Sequence, residues 1–151
     1  VMVSEFSSSR RALAERMGFT TVLDPRAPGL EARLAELAPD GPDVVFEAVG
    51  EPGVIRESID RARFRGRVVV AGACFAEDSI HPLHATLKEV SVLFVGAYEK
   101  DDFQYTVDMM EQERIDPLPI VTDRIGLDEV PEAFEALAKP DSQCKVVVYT
   151  S

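Results

Sequence analysis

The sequence predicts an α/β fold in which a mainly parallel, doubly wound sheet carries helices on both faces. Short apolar runs alternate along the chain with segments whose apolar residues recur at helical spacing, an alternation typical of parallel sheets. The clearest run lies in residues 43–50, where Val44, Val45 and Phe46 follow a Pro-Asp turn. Three adjacent apolar residues favour a strand that is buried on both faces.

The amino-terminal part of the chain supplies three strand–helix repeats. Strands are predicted at residues 1–5, 21–23 and 43–50. The serines at 7–9 predict a cap for the first helix, because serine side chains accept hydrogen bonds from unpaired N–H groups at a helix start. The helices follow from apolar residues at helical spacing: Leu13 and Met17; Leu30, Leu34 and Leu37; Ile55, Ile59 and Ala62.

The rest of the chain continues this pattern and then leaves it. Strands are predicted at 66–72, 90–97 and 145–149. Helices are predicted around Leu83 and Leu87; Phe103, Val107 and Met110; Val130, Phe134 and Leu137. Because two prolines interrupt the pattern after Ile115, we predict a division into an α/β domain at 1–115 and a carboxyl-terminal segment at 116–151.

Composition excludes two classes of partner. Acidic residues outnumber basic residues 27 to 16, and a net charge of -11 repels nucleic-acid phosphates. No apolar run approaches the roughly 20 residues that cross a bilayer. Cys74 and Cys144 form no Cys-x-x-Cys pair, which gives no metal-site spacing and fits the reducing cytoplasm. We therefore expect a cytoplasmic protein that binds neither nucleic acid nor membrane.

Small residues follow three of the predicted strands. The three tails are Ala48-Val49-Gly50, Ala71-Gly72-Ala73 and Val95-Gly96-Ala97. The carboxyl ends of parallel strands form the ligand-binding edge of open α/β sheets, and small residues let a flat ring approach the backbone closely. The tails therefore predict a ligand site at this edge, although each tail is also compatible with a plain turn.

Glu5 and Arg10 are candidate contacts for a dinucleotide. An acidic residue at the end of a strand can accept hydrogen bonds from the adenine ribose, and its charge disfavours the 2′-phosphate of NADP. Arg10 follows near the start of the first helix, where it can lie over an adenine or pair with a phosphate. Glu5 is equally compatible with a solvated position at a strand end, and an arginine such as Arg10 is by itself most often a surface residue.

Patterns for metal binding, nucleophilic catalysis and phosphate binding are absent from the sequence. His81 and His84 are separated by Pro82 and have no third ligand nearby, so we assign no metal site. No serine or cysteine has an ordered base partner, and we assign no catalytic residue. The Gly-x-Gly-x-x-Gly turn of dinucleotide-binding folds is also missing.

Several stretches together resemble the medium-chain, zinc-dependent alcohol dehydrogenase family. They are Val-Ser-Glu at 3–5, Ser-Ser-Ser-Arg-Arg-Ala-Leu-Ala-Glu-Arg-Met-Gly at 7–18, and the segments 43–50, 66–72, 115–123 and 127–137. The resemblance is greatest to the branch with threonine, sorbitol and butanediol dehydrogenases. It implies a Rossmann-type fold that lacks the first strand and its glycine-rich turn. Residues 1–115 are then an incomplete NAD-binding domain, and 116–151 a segment that returns to the catalytic domain.

The resemblance also implies roles for individual residues in binding NAD. Glu5 takes the ribose position, and Arg10 the basic position near the adenine. Lys145 stands where the family often has an arginine that contacts the pyrophosphate. The first tail (Ala48, Val49 and Gly50) flanks the adenosine side, and the second tail (Ala71, Gly72 and Ala73) forms the loop that meets the nicotinamide. Backbone groups of Leu93 and Val95 hold the nicotinamide carboxamide.

The activity implied by the resemblance is hydride transfer between NAD and a secondary alcohol or polyol. The family's zinc ligands lie in an amino-terminal catalytic domain, so we expect zinc there and predict that these 151 residues alone are inactive. The substrate of the complete enzyme is then a small-molecule alcohol or ketone. The strand at 90–96 lies at the sheet edge in relatives, which implies a homodimer with residues 80–95 at its interface.

Two alternatives remain open from the sequence. The zinc-free quinone and enoyl reductases share the fold and prefer NADPH, and Arg10 with Arg11 would receive its 2′-phosphate; Glu5 argues against this choice. The second alternative is a truncated, non-catalytic assembly module that donates its sheet to a partner.

Overall fold

The computed structural model describes residues 1–138 and 142–150. It comprises two compact units, residues 1–30 with 100–151 and residues 31–99. The strands are β1 (Val3–Ser4), β2 (Val22–Leu23), β3 (Val44–Glu47), β4 (Arg67–Val70), β5 (Ser91–Phe94), β6 (Val121–Gly126) and β7 (Lys145–Tyr149). The helices are α1 (Ser8–Arg16), α2 (Leu30–Leu37), α3 (Val54–Arg61), α4 (Pro82–Lys88), α5 (Lys100–Glu111) and α6 (Val130–Ala136).

The unit at 31–99 contains a parallel three-stranded sheet in the order β3-β4-β5. Helix α3 connects β3 to β4, and α4 connects β4 to β5, as expected of parallel strands. The core consists of Ile59 and Ala62 from α3 and its end, and Val68 and Val70 from β4. Val68 is completely buried because β4 is the middle strand of this sheet.

The unit at 1–30 and 100–151 contains two parallel pairs of strands, β1-β2 and β6-β7. Helix α1 begins after Ser7, whose side chain accepts a hydrogen bond from the Arg10 N–H at 3.4 Å. The same helix buries Leu13 and Ala14. The predicted serine cap and first helix are therefore confirmed.

The predicted α/β class with parallel strands is confirmed, and each predicted strand and helix is present. Strand β6 was not predicted, because Asp123 and Arg124 interrupt its apolar residues. Within the described residues, no helix is both long and apolar enough to cross a membrane. The predicted division at residue 115 stays a prediction.

The expectation that β3 is buried on both faces is wrong. Side chains alternate between the faces of a strand: Val45 packs against the core and Glu47 is buried, whereas Phe46 is 72% exposed. Among the described strands β3 pairs only with β4, so it lies at an edge of its sheet. An apolar run therefore does not establish how many of its faces are covered.

Candidate cofactor-binding site

The carboxyl ends of β3, β4 and β5 lie level with one another. The strands are in register, with Glu47 opposite Val70 and Val70 opposite Phe94. The hydrogen bonding continues one residue further: the Ala71 N–H donates to the Glu47 carbonyl at 2.8 Å, and the Val95 N–H donates to the Val70 carbonyl at 3.0 Å. The three predicted tails therefore begin side by side at the carboxyl ends of the strands, which form the carboxyl edge of the sheet.

This edge exposes apolar and small side chains. Val49 is 62% exposed, and Leu93 and Val95 are exposed by 44% and 48%. Ala48, Ala71 and Ala73 are exposed as well. Because the Val95 N–H already donates to the sheet, it is not available to the carboxamide that the resemblance places there. The remainder of the edge can receive an apolar, flat ligand group.

The buried side chain of Glu47 binds the backbone of the first tail. Its Oε1 accepts hydrogen bonds from the N–H groups of Val49 at 2.6 Å and Gly50 at 2.8 Å. The side chain is only 3% exposed. Sequence reasoning did not assign Glu47 to the site; its signal was an acidic residue directly before a tail of small residues.

The loop that follows the second tail is tied to the start of α3 by Asp78. The Asp78 Oδ1 accepts hydrogen bonds from the N–H groups of Gly53 at 2.9 Å and Ser79 at 2.7 Å. Gly53 is the residue that precedes α3 and has a left-handed φ of 88°. The loop that follows Ala73 is thereby connected to the turn that follows Gly50.

In the other unit, the structure brings Glu5 and Arg10 together. The Glu5 Oε1 accepts a hydrogen bond from the Ser7 N–H at 2.8 Å, and its Oε2 lies 3.9 Å from the Arg10 Nη1. The Nε and Nη2 of Arg10 donate to the Gln143 carbonyl at 3.4 and 3.3 Å. Lys145 is the exposed first residue of β7, in the same unit as Glu5 and Arg10.

Two further arginines hold the segment around Glu5: Arg11, to which the reductase alternative assigns the 2′-phosphate, and Arg26, which sequence reasoning did not assign to the site. The Arg11 Nη1 donates to the carbonyls of Glu5 at 2.8 Å and Phe6 at 2.6 Å, and Arg26 donates to the same Phe6 carbonyl at 2.6 Å. Both arginines form ion pairs with Asp24. Hydrogen bonds from Arg26 and the charge of Arg11 lower the pKa of Asp24.

A comparison with known protein families identifies the family of this chain. The model of the zinc-binding dehydrogenase family matches residues 1–112. The chain belongs to this family. Since residues 1–112 include β1 to β5 and the three tails, the family match covers the candidate site apart from Lys145.

Individual dehydrogenases agree with this family assignment. The (R,R)-butanediol dehydrogenase of Bacillus subtilis is 32% identical over 145 residues, which cover 95% of this chain and 42% of that enzyme. Its solved structure superimposes with a TM-score of 0.85 at 31% identity, over 98% of this chain and 43% of that one. The L-threonine 3-dehydrogenase of Enterobacter sp. (strain 638) is 28% identical over 94% of this chain and 42% of that enzyme.

A third relative was solved with a cofactor. It is a Sinorhizobium meliloti 1021 protein bound to NADP, 28% identical with a TM-score of 0.83 over 99% of this chain and 45% of that one. The chain spans less than half the length of the relatives it matches. The resemblance to the medium-chain zinc-dependent alcohol dehydrogenase family is confirmed, and butanediol and threonine dehydrogenases are among its relatives.

The described residues do not fit the zinc ion that the family name implies. They contain no group of three or more histidine, cysteine, aspartate or glutamate side chains that could hold a metal. The two histidines have other partners, since the His81 Nδ1 accepts a hydrogen bond from the His84 N–H and the His84 Nδ1 lies 2.8 Å from the Asp60 Oδ1. That zinc belongs to a different domain stays a prediction.

Proposed function

We propose that this chain is the cofactor-binding part of an NAD-dependent, zinc-type dehydrogenase of secondary alcohols or polyols. The bound nicotinamide supplies the hydride chemistry, whereas the residues of this chain bind and orient the dinucleotide. The substrate in the complete enzyme is a small alcohol or its ketone.

The observation that carries the proposal is the level edge formed by the three strand tails. Ala48, Ala71 and Val95 directly follow strands that are paired in register. Exposed small and apolar groups at the carboxyl ends of parallel strands suit the flat rings of a dinucleotide. We assign the adenosine side to Ala48, Val49 and Gly50, and the nicotinamide side to Ala71, Gly72, Ala73, Leu93 and Val95.

Glu5 supports NAD as the preferred cofactor. Its carboxylate is half-buried and carries a negative charge at the end of β1, where a ribose 2′-hydroxyl can donate to it and a 2′-phosphate is repelled. The reductase alternative needs arginines that receive this phosphate. Arg11 instead binds Asp24 and two carbonyls, and Arg10 binds the Gln143 carbonyl. We place Arg10 beside the adenine, with Lys145 as a pyrophosphate contact.

Direct titration with NADH and NADPH tests the cofactor assignment. The chain has no tryptophan, so NADH fluorescence reports binding without interference from indole. We expect NADH to bind at least tenfold more tightly than NADPH. The Glu5→Gln variant removes the charge but keeps an acceptor, and we expect it to reduce this preference. Tighter binding of NADPH by the unmodified protein would contradict the assignment and favour a reductase.

Three associated features remain proposals. We propose a homodimer through β5, which lies at an edge of the described sheet as β3 does, and which the family resemblance favours as the interface; sedimentation of a strict monomer at high concentration would contradict it. We retain the cytoplasmic location suggested by the two cysteines. The predicted inactivity of these 151 residues alone is tested by assaying the purified chain with zinc, and measurable turnover would contradict it.

A further inference from the structure

Glu47 is a charged side chain in a buried position. It is 3% exposed at the end of β3, whereas Val49, two residues later, is 62% exposed. A carboxylate is costly to bury unless hydrogen bonds stabilise it. The Oε1 of Glu47 receives two such bonds, both from backbone N–H groups of the first tail.

The same residue also holds the second tail. The Glu47 carbonyl accepts the N–H groups of Ala71 at 2.8 Å and Gly72 at 3.0 Å. Gly72 packs directly onto the carboxylate, because a Cβ at this position would lie 2.6 Å from the Glu47 Oε2 and 2.8 Å from its Oε1. The main chain and side chain of one residue therefore contact both tails.

The two tails are also interlocked with each other. A Cβ at Gly72 would collide with the backbone N of Gly50, and a Cβ at Gly50 would lie 2.8 Å from the carbonyl carbon of Ala73. Gly50 has a left-handed φ of 75°, a conformation that glycine adopts without strain. The Gly50 N–H that Glu47 fixes thus lies at the point where the tails touch.

We propose that Glu47 is a positioning residue that holds both tails of the cofactor site in one arrangement. The proposal rests on the proposed function, because it assigns these tails to dinucleotide binding. Glu47 acts through Val49, Gly50 and Gly72 and does not itself contact the cofactor. A site that is held in its binding geometry before the ligand arrives loses less entropy on binding.

An apolar side chain would fill the position of Glu47 without the cost of burying a charge. Val70, which lies opposite Glu47 on the neighbouring strand, is buried in this way. What the carboxylate adds is an acceptor with a defined direction toward two N–H groups of the tail. Stability alone therefore does not account for the residue at this position.

The test uses the natural full-length protein with three variants and one control. Glu47→Ala removes the acceptor, Glu47→Gln retains a carbonyl acceptor without the charge, and Gly72→Ala inserts a methyl group between the tails. Glu51→Ala is the matched control, because Glu51 is an exposed acid in the same turn. The measurements are NADH affinity, amide hydrogen exchange in peptides covering 47–53, and the melting temperature.

We expect Glu47→Ala to accelerate exchange at 47–53 and to weaken NADH binding, each by about tenfold, the size expected for loss of charge-assisted hydrogen bonds. We expect Gly72→Ala to weaken NADH binding similarly. Glu47→Gln should remain within about threefold of the unmodified protein, because its amide oxygen can accept the same N–H groups. Glu51→Ala should change neither quantity.

The outcomes separate this proposal from the proposed function. Unchanged NADH affinity in Glu47→Ala, with a lower melting temperature only, would overturn the positioning role and leave the proposed function standing. An unmodified protein that binds no dinucleotide would overturn both the proposed function and the role of Glu47 in cofactor binding. If Glu47→Ala fails to fold, the NADH affinities of Glu47→Gln and Gly72→Ala test the proposal in its place. The proposal would be overturned if both variants bound NADH as tightly as the unmodified protein.

Discussion

Arg10 and Gln143 are joined by two hydrogen bonds, although 133 positions separate them in the sequence. The guanidinium of Arg10 donates to one carbonyl oxygen and also lies 3.9 Å from the Glu5 carboxylate. Through this contact, α1 is connected to the segment that leads into β7, which begins at Lys145. Helix α1 follows Glu5, the residue predicted to bind the ribose. Glu5, Arg10 and the segment that leads to Lys145 are thereby linked within one unit.

Replacing Arg10 should loosen this connection. We expect Arg10→Ala to lower the free energy of unfolding by about 1 kcal/mol, the typical value for a hydrogen-bonded contact of this kind. We also expect a few-fold weaker NADH binding, because the segment before Lys145 loses its contact with α1. Urea denaturation and NADH titration measure the two effects.

The control for Arg10 lies on the same helix. Arg16 is the last residue of α1 and is exposed, so Arg16→Ala removes the same charge without removing the contact to Gln143. Arg10→Lys should not restore stability, because an ammonium group lacks the planar fork that places two donors on one carbonyl. Equal effects of the Arg10 and Arg16 substitutions would contradict the role of the Gln143 contact.

The lowered pKa of Asp24 predicts that the stability of the fold depends on pH. Hydrogen bonds from the side chain and N–H of Arg26, together with the charge of Arg11, lower the pKa of Asp24 below its ordinary value of 3.8. The folded state therefore binds this proton less tightly than the unfolded chain does. The stabilisation by Asp24 is complete above the unfolded-state pKa and is lost as the pH falls through the folded-state pKa.

Denaturation curves between neutral and strongly acidic pH measure this contribution. The difference in unfolding free energy between the unmodified protein and Asp24→Asn should be constant above about pH 5 and should shrink below about pH 4, where carboxylates take up protons. Asp40→Asn is the control, since Asp40 is an exposed aspartate outside this cluster. A difference that grows with acidification would contradict the assignment.

Local patterns were sufficient to predict most elements of the fold. Serine capping and helical spacing placed α1, and short apolar runs placed β3, β4 and β5 at their observed positions. The tails were predicted for the same reason, because a glycine or alanine after an apolar run marks the end of a strand. These features depend on residues that are neighbours in the sequence.

Features that depend on distant partners were not predictable. An exposed and a buried glutamate have the same sequence pattern, so Glu47 was not assigned a role until its contacts with Val49 and Gly72 were known. The exposure of Phe46 likewise depends on what packs against its face of β3. The Arg10 contact to Gln143 follows from packing between α1 and the carboxyl-terminal segment, which no local pattern encodes.

Gly41 should be intolerant of any side chain. It has a left-handed φ of 87°, and a Cβ would lie 2.5 Å from the Arg61 carbonyl oxygen and 2.8 Å from the Arg63 N. Both partners are backbone atoms at the end of α3, so the turn before β3 must shift. We expect Gly41→Ala to lower the unfolding free energy by about 1–2 kcal/mol for the strained backbone, plus a further loss from the collision.

Substitution of Gly18 distinguishes the cost of the strained backbone from the cost of the collision. It has a similar φ of 92°, but a Cβ there would meet no atom within 4 Å. Gly18→Ala should therefore show the backbone cost alone, and Gly41→Ala should be clearly more destabilising in parallel thermal and urea denaturation. Equal destabilisation by the two substitutions would show that the contact with Arg61 carries no cost.

Lys88 connects α4 to the carboxyl end of α3. Its Nζ donates to the carbonyls of Ile59 at 2.9 Å and Asp60 at 2.6 Å. A lysine at this position satisfies carbonyl groups that lack partners at a helix end, and its charge is favourable at the negative end of the helix dipole. We expect Lys88→Met, which keeps the length of the aliphatic chain, to lower the unfolding free energy by about 1 kcal/mol.

Amide exchange localises the effect of Lys88. Because the lost hydrogen bonds lie at the end of α3, Lys88→Met should accelerate exchange in peptides that cover 54–62 and should leave peptides that cover 100–111 unchanged. Lys100→Met is the matched control, since Lys100 is an exposed lysine at the start of α5 in the other unit. Destabilisation without faster exchange at the end of α3 would mean that the contribution of Lys88 comes from its aliphatic packing or overall charge and not from these carbonyls.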